Sequence, residues 1–202
     1  MPHPRDAESA SPHEVRAPVE AAADVLVHSR KDREFAASTW LLAAALDMRE
    51  ARAAWEKRNG IALLRCGGIF GAVRLSTDLV RAAAATENTA EVDAFLAQVL
   101  HGAPVFTDQF SQWYYVLVPV STGRRQEWET ARLAPKAEFL GSNTFLGVPR
   151  PDVTEPEGVR SYWCVPMDGP GALAVPDRVS QLVAVARFRQ AATDNPAPTP
   201  AA

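Results

Sequence analysis

The order of periodicities along the chain points to an α+β fold, a single domain with a mixed, mainly antiparallel sheet and helices packed on it. Three observations lead there. Apolar positions recur at helical spacing before Gly60 and again after Pro176. Between them, short apolar runs are punctuated by Gly, Pro, Ser and Asn, the pattern of strands and turns. Two more helical patterns, after Thr77-Asp78 and after Thr89, are inserted among those runs. With 202 residues, 47% of them hydrophobic and 22% charged, the chain has the size and composition for one globular core.

Residues 1–16 carry charge, Pro and Ser with almost nothing to bury, and are expected to be disordered. The domain is expected over 17–190, and 191–202 form a Pro/Ala tail of the same character as the start. A first helix is expected over Val19–Ser29, followed by the RKDRE run as a solvated turn or an exposed helix start. Glu34–Asp47 and Met48–Gly60 follow as helices, the second stopped by Asn59-Gly60. Ile61–Cys66 and Ile69–Ser76 read as two strands of a hairpin turned at Gly67-Gly68. Thr77-Asp78 starts a helix, and Thr89–Leu100 is another. PVFTDQ and QWYYVLVPV are strands, the second nearly all apolar and therefore central. Residues 136–141 and 143–149 read as a hairpin around Ser142-Asn143. VRSYWCVP is the last strand, and the segment from Pro176 closes the domain with a helix.

Several function classes find no support in the residues. The net charge of −3 is not the footprint of a strongly basic nucleic-acid binder. No phosphate-binding glycine loop, nucleophile elbow or zinc-protease motif is present. The two cysteines, Cys66 and Cys164, read as small buried hydrophobes. The polar start lacks a signal-peptide pattern and no apolar run is long enough to span a bilayer, so the expectation is a cytoplasmic protein with no membrane partner. No catalytic residue, metal ligand or cofactor is assigned. The cluster Trp113, Tyr114, Tyr115 reads either as sheet core or as a base-stacking platform. Glu127 and Glu129 lie two residues apart, but GRRQEWETAR reads as an exposed loop or short helix and they read as solvated charges.

The run WLLAAALDMREARAAWEKRNGIALLRCGGIFGAVRLSTD, then SQWYYVLVPVSTG, then EFLGSNTFLGVPRPDVTEPEGVRSYW, resembles the small actinobacterial proteins labelled bifunctional DNA primase/polymerase, N-terminal domain-like, of the archaeo-eukaryotic primase superfamily. The resemblance covers about residues 35–165. It implies an α+β domain built for nucleotidyl transfer with two metal ions. It also implies that this chain is degenerate. Acids of an active member would stand where Arg74 and Ser76 stand. The family histidine would fall near Trp113 or Tyr114, after Ser111, where no His occurs. Only Glu138 answers to the third acid.

Arg74 sits inside an otherwise apolar strand. Strand alternation puts it with Ala72 and Ser76 on one face, and Phe70, Val73 and Leu75 nearer the other. Three readings stay open for it: a solvent-facing cation, an ion pair with Glu138 across the sheet, or a phosphate ligand. The expected site is a nucleotide- or phosphate-binding remnant cleft made of Arg74, Ser76, Ser111, Trp113 and Glu138. The expected function is non-catalytic binding of nucleotide, nucleic acid or a replication or regulatory partner. The alternative is a protein–protein interaction module with no nucleic-acid role.

Overall fold

The computed structural model describes residues 19–22, 25–27, 29–130 and 136–194. In chain order its elements begin with β1 (Val19–Ala22), β2 (Val25–Val27), α1 (Arg30–Leu42), α2 (Met48–Trp55), β3 (Ile61–Arg65) and β4 (Gly71–Ser76). They continue with α3 (Thr77–Ala84), α4 (Thr89–Val99), β5 (Val105–Asp108) and β6 (Trp113–Val118). A 3-10 turn over Val120–Arg124 leads into α5 (Gln126–Thr130), then β7 (Ala137–Leu140), β8 (Phe145–Pro149), β9 (Ser161–Val165) and α6 (Pro176–Asp194). The fold is α+β. Every described strand pair is antiparallel, so no mixed sheet forms among these residues.

Five strands make the main sheet in the order β7-β4-β6-β5-β9, with the apolar β6 at its centre. One face packs on α3, α4 and α6. Val73, Leu75, Val105, Val116 and Val118 meet Leu79, Val92, Leu96, Val179 and Val183 there, all buried. The GRRQEWETAR segment takes the short-helix alternative as α5, which adds the buried Trp128 to the same core. The other face packs on a second layer made of α1, α2 and the two-stranded ribbon β3-β8. Phe70 and Ala72 belong to that second core together with Leu41, Trp55, Leu64, Phe106, Leu117 and Trp163. Phe70 therefore shares a face with Ala72 and not with Val73, as its even spacing from Ala72 requires.

The segment before Gly60 departs from expectation at several element boundaries. Val19–Ala22 and Val25–Val27 form an antiparallel hairpin instead of a helix, with β-branched Val19 opposite Val27. The helix expected over Glu34–Asp47 starts earlier, because Ser29 Oγ accepts from the Asp32 N–H at 3.2 Å and Asp32 Oδ2 accepts from the Ser29 N–H at 3.0 Å. This reciprocal cap makes RKDRE the first turn of α1. The chain then breaks after Leu42, and Asp47 caps α2, its Oδ1 accepting from the N–H groups of Arg49 and Glu50 at 2.7 and 3.0 Å. Helix α2 stops at Trp55, and Gly60 lies so close to it that a Cβ there would come within 2.1 Å of the Ala54 carbonyl oxygen.

Neither expected hairpin forms. Strand β3 pairs with β8, from Ile61↔Pro149 to Arg65↔Phe145, while β4 sits between β6 and β7. The Gly67-Gly68 turn thus carries the chain from one layer to the other. Residues 1–16 and 195–202 lie outside the described residues, and 191–194 are the end of α6.

Two buried indoles hold the ribbon to the rest. Trp55 Nε1 donates to the Val148 carbonyl at 2.9 Å and Trp163 Nε1 to the Pro149 carbonyl at 3.1 Å, so adjacent residues of β8 are tied from α2 and from β9. Trp163 is fully buried and its ring lies 5.2 Å from that of Phe106. Trp163→Ala is expected to cost about 3–5 kcal/mol, as for other large-to-small core changes. Trp163→Phe should cost less, about 1–3 kcal/mol, mainly through the unpaired carbonyl it leaves. Urea unfolding followed by circular dichroism reads both.

Candidate functional site

The second layer covers only part of its sheet face. Along β4, the row through Ala72 is dry: Leu117 and Leu140 are its neighbours on β6 and β7, and all three are buried. The next row on this face runs Glu138, Arg74, Tyr115, Phe106, and the row after it Ser76, Trp113, Asp108, Ser161. Polarity rises row by row as the cover runs out. Arg74 is the first side chain beyond the edge of the apolar layer, which answers why a cation stands in this strand.

The register sets Glu138 directly opposite Arg74, and the two form an ion pair with Arg74 Nη2 donating to Glu138 Oε2 at 2.6 Å. The guanidinium also lies over the Trp113 ring, 4.4 Å from its centroid, which a cation favours electrostatically. Arg74 Nε is covered and has no hydrogen-bond partner among the described residues. The ion-pair reading of Arg74 is therefore realised. The pair is about a third to two fifths exposed, with side-chain exposures of 35% and 41%, so it is screened and contributes little to stability.

Of the expected site residues, Arg74 touches both Trp113 and Glu138. Ser76 stands opposite Trp113, but its Oγ accepts from the Leu79 N–H at 3.3 Å and caps α3. Ser111 sits one turn further, in the β5-β6 connection, where its N–H donates to Asp108 Oδ1 at 3.2 Å. It joins a second ion pair, in which Arg160 Nη2 donates to Asp108 Oδ2 at 2.8 Å. Burial works against the charge on Asp108, but Arg160 and the Ser111 backbone and hydroxyl outweigh it and hold its carboxyl below the usual range. Phe110 is exposed at the tip of the same connection, with the Arg160 guanidinium 5.8 Å from its ring centroid.

Arg160 and Phe110 were not singled out by sequence reasoning. No motif marks them. Only the β5-β9 register, which sets Asp108 beside Ser161, brings Arg160 into reach. Tyr115 lies between the two ion pairs, its ring stacked on Phe106 with centroids 4.9 Å apart. Burial raises its phenol above the ordinary value against the opposing pull of Arg74, so it is a neutral hydroxyl at physiological pH. The open face is thus a strip of two arginine–carboxylate pairs interleaved with Trp113, Tyr115 and Phe110.

No three His, Cys, Asp or Glu side chains converge as a metal-ligand set among the described residues. Cys66 is buried, and desolvation pushes its thiol up to about 11, which keeps it protonated. Among the described residues no helix is long and apolar enough to cross a membrane. Comparisons with protein-family models, with curated proteins and with solved structures find no match to this chain.

Two outcomes follow for stability. Arg74→Ala is expected to change the unfolding free energy by less than about 1 kcal/mol, because its partner stays solvated. Asp108 behaves differently. Its carboxyl is held low in the folded state, so its contribution is complete above the unfolded value of about 3.9 and disappears as pH falls through the lower folded one. Asp108→Asn should cost about 1 kcal/mol at neutral pH and nothing in strong acid, read by thermal melts across the acid range.

Proposed function

We propose that the open strip is a non-catalytic binding surface for nucleotide or single-stranded nucleic acid, on a primase/polymerase-like domain whose metal-holding acids have been replaced. The observation that carries this reading is Arg74: a guanidinium lying on Trp113 and bonded to Glu138, at the uncovered end of a sheet face. A phosphate offers the same two-oxygen geometry as the Glu138 carboxylate and can exchange with it on the guanidinium fork. Bases have Trp113 and Tyr115 beside that point, and aromatic faces stack any base without reading sequence.

The pairing of both arginines with carboxylates fits a weak, exchangeable binder better than a basic clamp. It also fits the chain's net charge of −3. A non-catalytic reading is supported by what fills the strand: Arg74 repels a divalent cation, and Ser76 spends its oxygen on the α3 cap. In a cytoplasmic setting the partner would be a nucleotide, a nucleic acid strand or a protein that presents one.

The test is binding of a labelled single-stranded oligonucleotide, and of ATP and GTP, at low salt. Arg74→Ala is expected to weaken binding about tenfold and to lower the slope of log K against log salt by about 0.7, the loss of one phosphate contact on a single strand. Trp113→Ala should weaken it similarly while leaving the salt slope unchanged. Absence of binding by the wild type would remove the nucleic-acid reading and leave the protein-interaction module. Primer extension with Mg²⁺ or Mn²⁺ that Glu138→Ala abolishes would overturn the non-catalytic part.

A further inference from the structure

The ribbon β3-β8 covers the main sheet with Ala62, Leu64, Leu146 and Val148, which are buried. Its other side faces outward and is apolar as well. Leu63 is 66% exposed and Phe145 47%, and the loop between α1 and α2 adds Leu46 at 75%. Gly147 stands opposite Leu63 and keeps this side flat; a Cβ there would come within 2.9 Å of Ile61 Cγ2. Among the described residues, four of the ten exposed large apolar side chains (Leu46, Leu63, Ile69, Phe145) line this one region. Contiguous exposed apolar surface of this kind marks an interaction site.

Its shape and charge say what fits. Leu46 is the ridge between two concavities of about 380 Å³ each. One, between α2 and β3, is floored by Ala51, Ala54, Ile61 and Leu63 and rimmed by Asp47 and Glu50. The other lies beside the Gly67-Gly68 turn and is rimmed by Arg65. Among the described residues neither Glu50 nor Arg65 takes part in a salt bridge, so both charges are free to meet a partner. Knob and hole, and acid and base, therefore occur together on one patch. A twofold interface needs both halves of each complement on one patch, and this patch carries them.

We propose that this chain self-associates through the outer face of the β3-β8 ribbon, as an isologous dimer. Leu46 of each copy enters the α2-β3 concavity of the other, and Arg65 of each meets the Asp47/Glu50 rim of the other. This face is separate from the Arg74 strip, and the proposal does not depend on nucleotide binding.

Sedimentation of the full chain, up to on the order of 100 µM, tests it. The wild type is expected to be a dimer in reversible exchange with monomer. Leu63→Asp is expected to weaken association at least about 30-fold, as for a buried interface anchor. At concentrations where both proteins are monomers its melting temperature should stay close to that of the wild type, since the side chain is exposed in the monomer. Arg65→Glu should weaken association, and Glu50→Arg together with Arg65→Glu should restore it. Glu50 is chosen over Asp47 because Asp47 caps α2. A wild type that stays monomeric over the whole range overturns the proposal. So does a dimer whose dissociation constant neither Leu63→Asp nor Arg65→Glu moves.

Discussion

Strand β4 has to satisfy two layers of unequal reach. On one side α3, α4 and α6 cover it to its end, so Val73 and Leu75 are fully dry. On the other side the second layer stops after Ala72, and the remaining positions of the same face must tolerate water. Everything at the candidate site descends from that mismatch. A strand buried on both sides reads as a continuous apolar run, whereas one half-covered on one face must change character partway along. The change occurs between Ala72 and Arg74, a single step of the two-residue repeat.

The unfinished cover also explains the company Arg74 keeps. A guanidinium at the lip of an apolar layer needs a flat apolar neighbour for its stem and plane and an acceptor for its edge. Trp113 supplies the first from β6 and Glu138 the second from β7. The Asp108–Arg160 pair repeats the solution two strands away. Apolar replacement at position 74 would extend an uncovered hydrophobic patch, so stability alone gives little reason for this arginine or against it. Its covered, unpartnered Nε argues that the residue was not placed for the most favourable packing.

Much of this is legible in the sequence, and most of the failures share one cause. Periodicity located most of the elements, with the central β6 read from its unbroken apolar run. Alternation put Arg74 with Ala72 and Ser76 on one face, and of the three readings open for it the β4-β7 register realises the ion pair with Glu138. Pairing partners were the weak point. Gly67-Gly68 and Ser142-Asn143 are turn-forming residues, and turn chemistry says that a chain bends without saying whether it returns to the same sheet. Here both turns change layers, so two apparent hairpins dissolve into the β3-β8 ribbon and the β4-β7 pair. Arg160 and Phe110 stayed invisible for the same reason: their proximity to Asp108 is a matter of register between distant strands. The first helix was misread because Ala-rich stretches favour helix by propensity, whereas the Val residues on either side pair as strands.

The ribbon's connectivity has a consequence for how the protein is made. Trp55 and the Val148 carbonyl it binds are 93 positions apart, and among the described residues β3 has no strand partner but β8. At ribosomal speeds of about 5–20 residues per second, that interval lasts about 5–19 s. During it, Ala62 and Leu64 lack their β8 neighbours Val148 and Leu146, the backbone of β3 has no ladder, and its outer side shows Leu63. The emerging chain thus carries an unpaired apolar strand for seconds. Until β8 closes the ribbon, the edges of β3 stay open to pairing with another chain, which makes this interval the one in which aggregation competes with folding.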